Sequence, residues 1–220
     1  MGKPASKKKP AAAIAAGDDE SARGRLLGAA THLFCKYGIN ATGIDAIINE
    51  AGTAKTTLYK LFGSKTNLVN AVLESEGKAW REWFIGAMED GGGDAQEKLK
   101  RIFPALKRWF AEERFYGCPF INAVAEHDKD AKAFRNIALR HKKVVLSHIE
   151  KLAGEMGAAE PQVLAHQLGL LIDGAIVAAM VSRDPGVADT AGLAAGNLFG
   201  PSKVKKPKRV SGAATQLVAV

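Results

Sequence analysis

An all-α protein is what this chain of 220 residues predicts, and three observations carry the prediction. Where apolar residues recur they do so at spacings of three and four, as in Ile44, Ile47, Ile48 and Ala51, the signature of one face of a helix. No segment alternates polar and apolar residues with the two-residue period of a half-buried strand. Glycines and prolines punctuate the periodic stretches at Gly38, Gly52, the run Gly91 to Gly93, Pro119, Pro161 and Pro185-Gly186, where helices end or begin. With 47% hydrophobic and 25% charged residues the chain is globular and long enough to bury a core. It divides into a basic arm (1–19), a small helical domain (20–66), a larger helical domain (67–200) and a basic tail (201–220).

The Lys-, Pro- and Ala-rich arm carries too little apolar surface to offset ordering entropy and is expected to be disordered. A first helix is predicted from about Asp19 to Tyr37, with Leu26, Ala30, Leu33, Phe34 and Tyr37 as its apolar stripe and Asp18, Asp19 and Glu20 at the favourable end of its dipole. His32 and Cys35 read as packing residues. Thr42 suits the N-cap of a second helix whose buried face is Ile44, Ile47, Ile48 and Ala51. Gly52 permits a tight turn, and Thr53 suits the cap of a third helix burying Leu58, Leu61 and Phe62.

This pair of short helices is a helix-turn-helix. Lys55, Thr56, Thr57, Tyr59 and Lys60 stand on the outer face of its second helix, all able to donate hydrogen bonds to phosphates or base edges, with no carboxylate among them. An αα-hairpin with a merely solvated polar face has the same pattern.

A fourth helix opens at Lys65 and runs through Val72 and Leu73 to Trp80, Trp83 and Phe84. After the triple glycine, a helix from about Asp94 to Glu113 contains Pro104, which removes a backbone donor and kinks it. Pro119 fits the first position of the next helix, with Cys118 at its edge. A long helix follows from about Asp130 to Met156, then another from Pro161 to Ser182 in which Gly169, Gly174, Ala175, Ala178 and Ala179 allow close helix approach. An Ala-rich helix ends at Gly200-Pro201. The two long helices present more apolar surface than one small core needs, which implies a self-complementary dimer interface built as a four-helix bundle.

The charge of +8 is unevenly placed. Residues 1–16 and 201–220 hold nine basic residues and no acid, so the body from 17 to 200 is close to neutral. Within it, residues 21–66 carry six basic and two acidic residues, and residues 67–200 carry 16 against 18. A cationic small domain joined to a mildly acidic large one suits a reader of nucleic acid attached to a regulatory body. No apolar run reaches the roughly 18 residues of a membrane span, since His166, Gln167 and Asp173 interrupt Val163 to Val181. No secretory signal is read at the N-terminus, and two cysteines do not make a disulfide framework, which fits a reducing cytoplasm.

Residues 21 to 75 resemble the N-terminal DNA-binding domain of the tetracycline-repressor (TetR) family. The likeness rests on the first helix ending in Phe34, Tyr37 and Gly38, on Thr42 after the loop, and on Ala51-Gly52, Thr57-Leu58-Tyr59, Phe62 and Ser64-Lys65. Asn49-Glu50 and Thr53 depart from the family's usual pattern. The resemblance implies a dimeric transcription regulator, more often a repressor, paired through its last two long helices and binding a palindromic double-stranded DNA operator. A dimer places two recognition helices a helical turn or a multiple apart. On that basis Thr42, Tyr59, Lys60 and Lys65 are assigned to phosphates and Lys55, Thr56 and Thr57 to the groove.

The larger domain has residues to enclose a small-molecule effector: Trp80, Trp83, Phe103, Trp109 and Phe120 as apolar wall, and Cys118, Asn122, His127, His166 and Asp173 as orienting groups. Cys118 reads first as a buried small hydrophobe; alternatively, a helix N-terminus near Arg114 would lower its pKa, and some relatives with a Gly-Cys element here are thiol-based sensors. Gly117-Cys118 keeps that alternative open, as does an architectural DNA-binding role for the basic tails. An enzyme is not expected. Cys118 and His127, nine residues apart, project to opposite sides of a helix at roughly 100° per residue. HExxH, GxSxG, CxxC and a phosphate-binding glycine loop are all missing, and the sequence implies no metal or cofactor.

Overall fold

A computed structural model describes residues 21–127 and 132–199. The expected arm and tail, and the acids Asp18, Asp19 and Glu20, lie outside them. The described residues form ten helices: α1 (Ala22–Tyr37), α2 (Ile44–Ala51), α3 (Lys55–Phe62), α4 (Lys65–Glu89), α5 (Ala95–Lys100), α6 (Ile102–Phe110), α7 (Pro119–Glu126), α8 (Lys132–Glu155), α9 (Pro161–Ser182) and α10 (Val187–Gly196).

Helices α1 to α3 pack on one another around Leu26, Ala30, Phe34, Ile47, Leu58 and Phe62. The start of α1 is set by Ser21, whose hydroxyl accepts from the Gly24 N–H at 3.1 Å. Helix α1 also ties down α2: Arg25 Nε donates to the Ala51 carbonyl at 3.1 Å, and His32 Nδ1 lies 2.7 Å from Glu50 Oε1. Gly52 adopts the left-handed conformation at φ 58°, as the tight turn requires. The caps differ from the expectation. Gly43 and Ala54, not Thr42 and Thr53, precede α2 and α3, and neither helix has a side-chain cap. Tyr37 and Leu61, placed on apolar stripes by their spacing, are 56% and 41% exposed, while Phe34 and Phe62 of the same last turns fill the core.

Ser64 caps α4 by accepting from the Asn67 N–H at 3.1 Å, and α4 then leaves the small domain to pack on α6 and α8. The helix expected over 94–113 is two helices. Pro104 cannot donate to the Lys100 carbonyl four residues back, and the chain breaks at Arg101 between α5 and α6. Asp94 and Glu97 form a reciprocal capping box on α5. Pro119 occupies the first turn of α7, and Pro161 that of α9.

Helices α8 and α9 lie side by side, close enough at Gly169 that an added Cβ would stand 2.7 Å from Leu146 Cδ2. Helix α9 buries Leu164, Leu168, Ile172 and Ile176 against its neighbours and turns Val163, Leu170, Val177 and Val181 outward. By length and mean hydropathy, 1.7, α9 meets the composition of a membrane span, so its polar residues interrupt it less than expected. Leu193 on α10 and Val144 on α8 are also exposed.

Candidate functional site

On α3 the polar face expected from the sequence is formed. Lys55, Thr56, Tyr59 and Lys60 are exposed and Thr57 is half-buried, while Leu58 and Phe62 anchor the helix from behind. Lys55 Nζ donates to Asp45 Oδ1 on α2 at 3.1 Å, an exposed pair. With no acid in its first turn, α3 presents a positive dipole end and cationic side chains together.

Thr42 and Lys65 do not join that face. Thr42 is buried, and its hydroxyl donates to the Gly38 carbonyl at 2.6 Å with Leu33 O at 3.3 Å. Lys65 Nζ donates to the Ile39 carbonyl at 2.6 Å, and burial lowers its pKa against a smaller opposing effect of Glu126. Both side chains fasten the loop between α1 and α2, whose carbonyls would otherwise lack donors. Their assignment to phosphates is corrected accordingly.

In the larger domain a cavity of about 280 Å³ lies between α4, α6, α7, α8 and α9, with Cys35 of α1 in its wall. Of the residues expected to enclose an effector, Trp80, Trp109, Cys118, Phe120, His166 and Asp173 line it. Trp80 and Trp109 meet edge to face with centroids 5.6 Å apart. The other four do not reach it. Trp83 packs behind that pair, 6.2 Å from Trp80 and 6.5 Å from Trp109. Phe103 lies against Gly192 of α10. Asn122 Nδ2 donates to the Tyr116 carbonyl at 3.3 Å, and His127 packs at a tilt on Phe134, centroids 4.2 Å apart, while its Nδ1 donates to the Ala123 carbonyl at 2.7 Å.

Cavity residues that the sequence reading missed include Cys35, Glu76, His141 and Lys142. Glu76 is buried with Oε1 unbonded; burial raises its carboxyl to about 7, with the Thr31 hydroxyl acting weakly the other way. His141 stacks on Phe120 at 4.0 Å and accepts at Nδ1 from Arg81 Nη1 at 3.0 Å. Burial, then Arg81 and Lys142, press its pKa down to about 3, so it is neutral. Lys142 Nζ pairs with Asp173 Oδ2. The signal for Glu76 and His141 was available: each is a polar residue in register with an apolar stripe, Val72 and Trp80 flanking the first at four residues, Ile137 and Val145 the second.

Cys118 packs as a buried small residue, and the alternative of a lowered pKa does not hold. It is buried at the N-cap of α7, and burial pushes its thiol up despite the backbone N–H groups of Ile121 and Phe120. The Cys35 thiol is raised to about 12 by burial, then by Glu76 and Cys118. Cys118 and His127 sit at opposite ends of α7, as its N-cap and C-cap.

Residues 26–72 match the model of the bacterial regulatory proteins of the tetR family. A TetR-family transcriptional regulator of Streptomyces coelicolor superposes with a TM-score of 0.75 at 30% identity, covering 81% of this chain and 94% of that one. An HTH-type transcriptional regulator of Lactococcus lactis, from the lacX 3' region, is 25% identical over 76% of this chain and 87% of its own length. The transcriptional activator FasR of Mycolicibacterium smegmatis is 46% identical over 52 residues, 24% of each chain. A helix-turn-helix strapped to α1, a helical body behind it and these likenesses agree: the chain belongs to the TetR family of DNA-binding transcriptional regulators.

Proposed function

We propose that this regulator is a ligand-responsive repressor that binds a palindromic operator as a homodimer, reading it with α3 and responding through the cavity behind Trp80 and Trp109. The observation that carries the reading is the path of α4, which starts beside α3 at Lys65 and ends in the larger domain, with Glu76 and Trp80 in the cavity wall. A ligand that fills the cavity favours one position of α4 relative to α8 and α9, and so one setting of α3. In this reading Lys55, Thr56 and Thr57 enter the groove and Tyr59 and Lys60 contact phosphates.

Pairing through α8 and α9 is supported by the outward apolar residues Val163, Leu170, Val177 and Val181 of α9 and Val144 of α8. At Gly174, on the same outward side, an added Cβ would meet nothing within 4 Å, leaving room for a partner helix. Thiol sensing through Cys118 is the weaker reading, because a buried thiol with a raised pKa is a poor nucleophile.

Enrichment of random DNA duplexes on the full chain, with sedimentation of the complexes formed, tests the proposal. The expected product is an inverted repeat bound by two protomers, and a reporter driven from a promoter containing it is silenced. A single asymmetric site bound by one protomer overturns the homodimer, and a reporter that the protein raises overturns repression.

A further inference from the structure

We infer, on the reading that the cavity is the effector site, that its ligand is a lipophilic monocation of the aromatic or alkyl ammonium class, its charge held against Glu76 and its apolar body among Trp80, Trp109 and Phe120. Glu76 is 4% exposed and lies in the cavity wall, and its Oε1 has no hydrogen-bond partner. A buried carboxyl with a hydroxyl, Thr31, rather than a base beside it is destabilising, and a wholly apolar residue at this place on α4 would remove that cost. A positive charge delivered by the ligand supplies the missing partner, and aromatic faces around it add cation–π attraction.

Apart from Arg81 and His166, the other ionisable groups about the cavity are paired or uncharged. On α4, Arg81 donates to His141 of α8, and that histidine is neutral. Lys142 of α8 is paired with Asp173 of α9. Cys35 of α1 and Cys118 before α7 are held as thiols by burial. His166 of α9 is half-buried in the wall. Glu76 is the acid lining the cavity that is not paired with a base, and once ionised it would repel an anionic ligand. Trp80 Nε1 is the second buried polar atom without a partner, and an ether or hydroxyl oxygen on the ligand would accept from it.

The protonation of Glu76 then becomes part of binding. Below about pH 7 the carboxyl is protonated in the empty cavity, so a cation must displace that proton to the solvent, and its affinity falls about tenfold per pH unit. A neutral ligand that accepts a hydrogen bond from the protonated carboxyl shows the opposite trend.

Three probes separate the possibilities: benzyltrimethylammonium, its uncharged carbon isostere neopentylbenzene, and phenylacetate. Each is titrated into the full-length protein from about pH 5 to about pH 8.5 by calorimetry, in two buffers of different ionisation enthalpy that report protons released. The expected result is that benzyltrimethylammonium binds more tightly than both others above pH 7, loses affinity below it, and releases close to one proton at about pH 6. Glu76→Gln should weaken the cation at least tenfold at about pH 8, abolish its pH dependence and leave neopentylbenzene unchanged. The proton count on the unmodified protein stands whether or not that variant folds. Tighter binding of phenylacetate or neopentylbenzene than of the cation, or no proton release with it, overturns the ligand class while keeping the cavity as an effector site. Binding of none of the three overturns both.

Discussion

Glu126 at the end of α7 and Asn40 in the loop before α2 hold each other twice. The Asn40 backbone N–H donates to Glu126 Oε2 at 2.9 Å, and Asn40 Nδ2 donates to the Glu126 carbonyl at 2.5 Å. The other end of α7 carries Cys118, Pro119 and Phe120 into the cavity wall. One eight-residue helix therefore touches both the cavity and the loop that Thr42 and Lys65 fasten.

If α7 carries the response, cutting this link leaves ligand binding intact and weakens its effect on DNA. Glu126→Ala should change the affinity of a cavity ligand by less than about twofold while reducing the ligand-induced change in operator affinity by about fivefold or more, within the usual range of coupling energies. Operator titrations with and without ligand measure both quantities, and undiminished coupling in the variant would place the relay in α4 alone.

The α3 face makes a graded prediction. Lys55 is paired with Asp45 in the free protein, an exposed pair of little worth to stability, so Asp45→Asn should leave the melting temperature unchanged. The same change removes a negative charge beside the groove-facing lysine and should tighten DNA at low salt. Lys60→Ala should reduce the slope of log K against log salt by about 0.9 for every sequence alike. Lys55→Ala should instead relax the preference at one base pair, with a loss of about 1–3 kcal/mol on the best site. Equal losses on specific and random duplexes for Lys55→Ala would remove it from the groove.

Glu76 and His141 give the stability a pH dependence whose two parts oppose each other. Glu76 has a raised folded pKa, so the folded state binds the extra proton and stability is lost as pH rises from 4.5 to about 7, by on the order of 3 kcal/mol. His141 has a depressed folded pKa, so stability is lost as pH falls from 6.5 toward about 3, by on the order of 5 kcal/mol. Where the windows overlap the slopes largely cancel. Urea unfolding midpoints for Glu76→Gln should therefore climb from acid pH to a plateau near neutrality, and those for His141→Gln should fall between pH 4.5 and about 7. A profile unchanged by Glu76→Gln would mean that this carboxyl titrates normally.

Val177, 40% exposed, lies on the outward side of α9. Val177→Arg should yield a monomer of unchanged helix content in sedimentation, with operator binding reduced by about 100-fold or more, because a half-site contributes only part of the contacts. A dimer that persists in the variant would move the interface off α9.

The helices themselves were largely legible, because proline at Pro119 and Pro161 and glycine at Gly38 and Gly52 mark boundaries through local backbone restrictions. The break at Arg101 was half legible. Pro104 announced a disturbance, but a kink and a division differ in how α5 and α6 pack against α8 and α10, which is tertiary information. On the reading helix, Lys55 to Lys60 followed from periodicity alone. Thr42 and Lys65 did not, since their donors are claimed by Leu33 in the last turns of α1 and by Gly38 and Ile39, carbonyls of a loop whose shape no local rule specifies. In the cavity, aromatic residues were picked by size, and size does not tell core from wall: Trp80 and Trp109 face the space while Trp83 and Phe103 do not. Glu76, His141 and Lys142 escaped notice because each looked like an isolated polar residue on a long helix, whereas His166 and Asp173 did not.

Leu170 belongs to two surfaces at once: it lines the cavity, and it stands 67% exposed on the outward side of α9. In a dimer closed over that side, the second protomer becomes a wall of the first one's binding chamber. Occupancy and self-association then draw on the same free energy, so the concentration of protein sets the ligand threshold as surely as the ligand sets the oligomer. A cell that makes more of the regulator would shift its own dose–response curve without changing a single residue.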